Sequence, residues 1–516
     1  MFKNHPKGLL PAALANMGER FGFYVMMALL VLFLQTKFGL DGKGAGFIYS
    51  TFYFFIYALA LVGGIIADKT KNYKGTILAG LITMGVGYVL LSYPTPTPVP
   101  AESYTLYLAI SCGALFVIAF GNGLFKGNLQ ALVGQMYDDE KYAPYRDAGF
   151  NIFYMFINIG SIFAPAMATG IRNWWLTHNG FEYNENMPAI CHAFRDGTIS
   201  NDGMTALANF AEKFNYSGDQ LAEFVDTYLN VFTTGFHYAF GVAIVAMIIS
   251  TIVYLFNQKG FPDPAKKAAA IASGKAPKVV EMSVQETKQR IFALLAVFAV
   301  VIFFWFSFHQ NGLTLTFFAR DYTDLSSLSF DLGFTTLKGA ELFQSINPFF
   351  VVFLTPIVMA VFGWLRTKGK EPSTAKKIAI GMGIAATAYL VMSLGSRGLP
   401  LHTEVTEMGG LPDAERVSPW LLFTTYGILT LAELFISPLG ISFVSKVAPP
   451  KFQGIMQGLW LLATGIGNQL LFIGAIFYES IPLQYTWLIF VGACLISMTI
   501  MLGMLKWLDR VSGEAK

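Results

Sequence analysis

Charge is what this chain is short of. Asp, Glu, Lys and Arg make up 13% of its 516 residues, against about 25% in a typical soluble domain. So few charges cannot cover the surface of a water-soluble chain of this length, and the solvent for most of it is lipid. Cysteine is scarce as well. Cys112, Cys191 and Cys494 are the whole complement, which excludes a secreted disulfide scaffold. The six histidines are scattered, with no His-Glu-x-x-His and no paired-Asp motif, so metal-site and protease chemistry have no foothold. A net charge of +3 is too small to suggest nucleic acid as a partner. What is abundant is apolar: 54% hydrophobic and 15% aromatic residues, 48 of them Phe. The composition is that of an integral membrane protein.

A helix needs about 20 apolar residues to cross the hydrocarbon core. Twelve such stretches are read, at 9–36, 45–67, 75–93, 104–136, 146–171, 233–256, 290–318, 340–365, 375–395, 418–447, 452–479 and 484–508. The first is too long for a signal peptide and holds Glu19 and Arg20, so it reads as a transmembrane helix. Lys and Arg gather on one side of this arrangement, which predicts both termini in the cytoplasm of a cell (plasma or inner) membrane. The expected fold is all-α, in two six-helix bundles: residues 1–256, a Lys- and Ala-rich cytoplasmic linker at 257–289, and residues 290–516. An external insert at 172–232 precedes span 6, with weakly amphipathic stretches at 203–214 and 218–232. Asp202 and Ser217 are expected to cap short helices there.

The bundles look like repeats. Leu124-Phe125-Lys126-Gly127-Asn128-Leu129 in span 4 aligns with Leu434-Phe435-Ile436-Ser437-Pro438-Leu439 in span 10. Two repeat-related bundles with a site between them at mid-membrane is transporter architecture.

An ionisable group at the bilayer centre costs about 2.5–3.5 kcal/mol on insertion scales, so each needs a partner or a wet cavity. Four places carry such groups. In span 1, helical spacing puts Asn16, Glu19, Phe23 and Met27 on one face with Arg20 and Tyr24 beside it; a Glu19–Arg20 pair locking helix to helix is the structural alternative. In span 4, Lys126 is a strongly hydrated point charge among Gly121, Gly123 and Gly127, and requires Glu19 or a substrate anion nearby. In span 10, Glu433 has no cation within one turn of its own helix. It suits a proton site or a substrate ammonium, unless it pairs internally with Lys126. In span 7, Trp305 and His309 share a face. Such a histidine is either a satisfied core residue or a group that titrates near physiological pH. Span 2 adds Tyr53 and Tyr57, span 5 adds Asn151 and Asn158, and Asn347-Pro348 with Pro356 should loosen span 8.

Between spans 2 and 3, Gly63-Gly64-Ile65-Ile66-Ala67-Asp68-Lys69 resembles the loop signature of the major facilitator superfamily. Glycines there let helices approach, and Asp68 is placed to meet a helix N-terminus. Span 5 sharpens the resemblance. Its run from Arg146-Asp147-Ala148-Gly149-Phe150-Asn151 to Asn158-Ile159-Gly160 is similar to the signature of the proton-dependent oligopeptide transporter (POT/PTR) family. Gly123–Leu129, Gln344-Ser345-Ile346-Asn347-Pro348 and Gln457-Gly458-Leu459-Trp460 match the family in spans 4, 8 and 11.

The resemblance implies the major facilitator fold and a non-enzymatic function: proton-driven symport of di- and tripeptides by alternating access. Protons would be the coupling ion, with no cofactor and no metal, and one copy would suffice. It implies proton-coupling roles for Glu19, Arg20, Lys126, His309 and Glu433. Tyr24, Tyr57, Lys126, Asn158, Trp305, His309, Asn347, Glu433, Ser437 and Trp460 would bind substrate, and Gly64, Asp68, Lys69, Arg146 and Asp147 would form gating and loop motifs. The departures are specific. Asn16 stands where the family's span-1 motif has its first Glu, Phe23 where it has a Tyr, Met27 where a cavity Arg is common, and His309 where span 7 carries a Glu. These leave a non-peptide solute, or altered coupling, as the alternative function.

Overall fold

A computed structural model describes residues 5–70, 72–137, 141–142, 145–262, 282–449 and 452–513. Among these residues, twelve helical segments are long and apolar enough to cross a membrane. They are Leu9–Phe38, Gly42–Thr70, Tyr73–Ser92, Tyr104–Met136, Arg146–His178 and Leu221–Asn257, then Val284–Phe308, Ile346–Thr367, Thr374–Gly395, Trp420–Val447, Gln453–Gln469 continued by Leu471–Ser480, and Leu483–Ser512. Most of the linker read at 257–289 lies outside the described residues.

Packing follows from where the small residues sit. Span 1 is buried almost throughout and packs on spans 5 and 6, while span 4 packs on spans 2 and 3. In the second set, span 9 packs on spans 10 and 12, and span 7 on spans 11 and 12. Across the two sets, span 2 meets span 11 and span 5 meets span 8. Spans 2 and 4 touch backbone to backbone: a Cβ on Gly63 would lie 2.0 Å from the Gly123 carbonyl oxygen, and one on Gly123 would lie 2.5 Å from that of Leu59. Asn128 Nδ2 also donates to the Gly63 carbonyl at 3.0 Å. Any larger side chain at Gly63 or Gly123 would prise these helices apart.

Several expectations need correction. The stretch at 218–232 is not a short helix but the opening of span 6, which runs without a break from Leu221 to Asn257. Its Phe224, Tyr228 and Phe232 continue the buried face of the helix beyond the apolar run, and Ser217 and Gln220 box its start. The helix Asn201–Glu212 is capped by Ser200, whose Oγ accepts from Gly203 N at 3.0 Å. Asp202 lies inside the first turn, too late to cap. A further helix, Met187–Arg195, buries Ile190 and Cys191 and carries Pro188 at its start, where the missing N–H costs nothing. Pro348 likewise sits in the first turn of Ile346–Thr367 and breaks no helical bond; of the two prolines in span 8, Pro356 alone lies in the helix interior. The residue just before it, Thr355, donates from Oγ1 to the Val351 carbonyl one turn back, at 2.6 Å.

The end of the molecule that carries residues 172–232, the cap end, also holds a short hairpin between spans 7 and 8. Its strands Phe330–Asp331 and Thr336–Leu337 pair antiparallel, with Phe330 opposite Leu337. The turn is closed by Leu332 N donating to the Thr335 carbonyl at 2.9 Å, with Gly333 at φ +81°.

Candidate functional site

Span 1 brings Glu19 and Arg20 into the protein interior, at 0% and 4% exposure. The guanidinium donates from Nε and Nη2 to the two carboxylate oxygens, each at 2.5 Å. Asn122 Nδ2 of span 4 donates to Glu19 Oε1 at 2.8 Å, and Arg20 lies 4.5 Å above the Phe23 ring. A buried pair holds only when further hydrogen bonds satisfy its spare lone pairs, and Asn122 supplies one. The pair anticipated from the sequence is formed, and Asn16, Phe23 and Met27 are buried beside it.

Lys126, one turn beyond Asn122, is half-buried, with its Nζ 4.4 Å from the centroid of Tyr57. The aromatic face supplies part of the solvation that water would. Among the described residues no carboxylate forms an ion pair with it. On the other side, the half-buried Glu433 accepts from Asn347 Nδ2 at 2.9 Å, and the same amide donates to Thr430 Oγ1 at 2.9 Å. The internal Lys126–Glu433 pair weighed from the sequence is not formed. The two groups come from opposite halves of the chain, and among the described residues neither forms an ion pair.

His309 ends the helical part of span 7 and opens the 3-10 turn His309–Gly312. Trp305 stacks on it with centroids 4.9 Å apart, and Tyr53 lies 4.8 Å from its ring. Its Nδ1 faces Asn468 Oδ1 at 2.5 Å. With the amide oxygen facing it, Nδ1 is the donor of this bond. Two buried donors around this ring, Trp305 Nε1 and Asn468 Nδ2, have no hydrogen-bond partner among the described residues.

The remaining expected residues are distributed as follows. Tyr24, Tyr57, Asn347 and Ser437 are half-buried. Asn158 is buried and donates to its own helix at the Tyr154 carbonyl, 3.0 Å away. Trp460 is 3% exposed, edge-on to Phe298 and stacked over Gly440, where a Cβ would meet its ring at 2.1 Å. Asp68 is exposed and accepts from the Tyr73 hydroxyl at the start of span 3, so it meets a side chain there; Lys69 is exposed, and Gly64 faces open space. The side chains of Arg146, Asp147 and Asn151 lie outside the described residues. Sequence reasoning missed Asn122 and Asn468 as partners of Glu19 and His309, and Thr430, which shares the Asn347 amide with Glu433. Asn122 had a readable signal: a lone amide between two glycines, one turn before Lys126.

The two halves are fastened to each other toward the cap end. Arg172 of span 5 pairs with Glu341 at 2.6 Å, both side chains fully buried, and Thr169 Oγ1 donates to Glu341 Oε1 at 2.8 Å. Asn173 Nδ2 donates to the carbonyls of Thr336 at 2.7 Å and Lys338 at 3.0 Å. Arg320 reaches Gln35 Oε1 at 2.6 Å, Arg416 pairs with Glu185 at 2.7 Å, and Ser200 donates to the Glu407 carbonyl. A cavity of about 490 Å³ lies among these contacts, lined by Arg172, His192, Arg320, Asp321, His402 and Glu479. It is separate from the Lys126–Glu433 region. Outside the spans, burial lowers the His192 imidazole below its usual value against the raising effect of the Thr36 carbonyl, which its Nε2 meets at 2.7 Å.

The chain and its fold have known relatives. A peptide transporter of Yersinia enterocolitica, YePEPT, is 27% identical over 90% of this chain and 87% of its own. A crystal structure of a peptide transporter POT in complex with sulfate superposes with a TM-score of 0.69, at 24% identity, covering 99% of this chain and 96% of that one. A POT family transporter crystallised with 5-aminolevulinic acid gives 0.70 at 21% identity, covering 99% and 98%. Both structural likenesses show the major facilitator fold. The model of the POT family matches residues 74–276 and 265–488, most of the membrane-spanning part, and so the chain belongs to the POT family of transporters.

Proposed function

We propose that this protein is a proton-coupled symporter that imports di- and tripeptides across a cell membrane by alternating access, working as a single copy. The observation that carries this reading is the pair of opposite charges, Lys126 from the first half and Glu433 from the second, neither of which forms an ion pair among the described residues. A zwitterion suits such a site, with its carboxylate toward Lys126 and its ammonium toward Glu433. The unpartnered Trp305 Nε1–H and Asn468 Nδ2 offer donors to a peptide carbonyl. A buried donor left unbonded costs about 1–3 kcal/mol, which a substrate would recover on binding.

In this reading both termini are cytoplasmic and the cap end faces outward. The bonds gathered at the cap end then hold the outer side closed. Protonation of Glu433 or of His309 Nε2, together with substrate at Lys126, shifts the balance between this state and one open to the outside. Glu19 and Arg20 form a neutral, self-contained pair that positions Lys126 through Asn122 and the span-4 backbone.

Uptake of labelled dialanine into proteoliposomes tests this. Accumulation only with an inward proton gradient supports peptide symport. A second reading, a non-peptide solute or different coupling, is favoured by Met27 and His309, where an Arg and a Glu are expected. Folded protein that fails to take up dialanine but takes up 5-aminolevulinic acid or nitrate would establish it.

A further inference from the structure

The hairpin between spans 7 and 8 exposes its apolar residues. Phe330 is 55% exposed, Leu332 49% and Phe334 69%. Three large apolar side chains on one short turn form a patch that a water-facing loop does not tolerate without use. Its depth is fixed by its root. Thr335 Oγ1 donates to the Gly170 carbonyl at 2.7 Å, and Asn173 holds the carbonyls of Thr336 and Lys338. Gly170 and Asn173 lie within a turn of Trp174, which is 38% exposed and stacks on His178. Exposed Trp near a helix end marks the membrane–water interface. Below that level the outward surface is apolar on both neighbouring helices, through Phe163 and Met167 of span 5 and Phe349 and Phe353 of span 8. The hairpin patch continues this lipid-facing surface upward. Its one acid, Asp331, bonds back to Gly333 N at 2.8 Å and closes the turn.

We infer that the hairpin is a membrane-interface anchor, its tip at Phe330, Leu332 and Phe334 resting in the headgroup and upper acyl layer of the leaflet at the cap end, with a phospholipid surface as its partner. Because Asn173 and Thr335 tie the hairpin to span 5, the anchor fastens the junction of spans 5 and 8 to that leaflet.

A nitroxide label tests it in phosphatidylcholine liposomes. The background is Cys112→Ser, since Cys191 and Cys494 are buried. Labels are placed by Phe334→Cys, by Phe163→Cys as a lipid reference, and by Asp413→Cys as a water reference on an exposed loop. The expected result is an oxygen-to-nickel accessibility ratio at 334 several-fold above that at 413 and approaching that at 163. A ratio at 334 equal to that at 413 overturns the anchor. Shielding from both reagents with dipolar broadening also overturns it, since a second copy of the chain would then cover the patch. Leu332→Cys repeats the measurement should the first variant fold poorly.

Discussion

At the residue scale the chemistry rests on side chains whose partners are incomplete. Among the described residues Lys126 has an aromatic face and no ion-paired carboxylate, so its loss removes substrate interaction without unpairing a buried acid. Lys126→Gln is expected to leave the folded protein intact by size-exclusion profile and to lower peptide affinity about tenfold or more, equivalent to at least ~1.4 kcal/mol. Glu433→Gln keeps the hydrogen bond from Asn347 but removes the exchangeable charge. It should abolish accumulation against a gradient while substrate counterflow survives; accumulation by this variant would remove Glu433 as the essential proton site. Arg172 behaves in the opposite way. Arg172→Ala strands Glu341 in a dry environment, and breaking a buried pair costs about 3–5 kcal/mol. A lower melting temperature in detergent is expected for Arg172→Ala, largely restored by adding Glu341→Leu. The charges themselves were legible because ionisable residues stand out in apolar runs. Their partners were not: Asn122 is 103 residues from Glu19 and Asn468 is 159 from His309, distances over which spacing carries no information.

The spans as elements were legible for the same reason, since a bilayer imposes a length and a composition on every helix. What the sequence hid was where a helix leaves the lipid. Span 6 continues outside it because Phe224 and Tyr228 find a cap to pack against, and span 7 breaks into a 3-10 turn at His309 with no proline or glycine to announce it until Gly312. Turns carry their own chemistry. Between spans 8 and 9, Glu371 is held down at about 2, first by its bond to Arg366 and then by Lys377. A carboxyl with a depressed value stabilises the fold fully above its unfolded value, and that contribution is lost as pH falls toward 2. Glu371→Gln should therefore lower the melting temperature at pH 7, with the gap to the parent protein narrowing as the pH is taken below about 4. An equal gap at all pH values would mean the side chain acts by shape alone.

At the scale of the whole molecule, the proposed transport cycle requires the two halves to separate at the cap end. Gly46 of span 2 and Ala475 of span 11 come close enough there that a Cβ on Gly46 would lie 3.2 Å from that of Ala475, near the spacing of a disulfide. The pair Gly46→Cys with Ala475→Cys should transport when reduced, stop when oxidised, and recover on reduction; transport by the cross-linked form would show that this end need not open. The ion pairs at this end are of two kinds, those within the cap of the first half and those that join the halves. Arg195–Asp226 and Lys213–Glu182 sit in solvent within the cap, whereas Arg172–Glu341 is sealed from it. Dissolved ions screen the first kind within about 8 Å at physiological strength and barely reach the second. On the proposed reading, a cell moved from dilute medium to brine would find the trim around the outer door loosened and its bolt, Arg172–Glu341, unchanged.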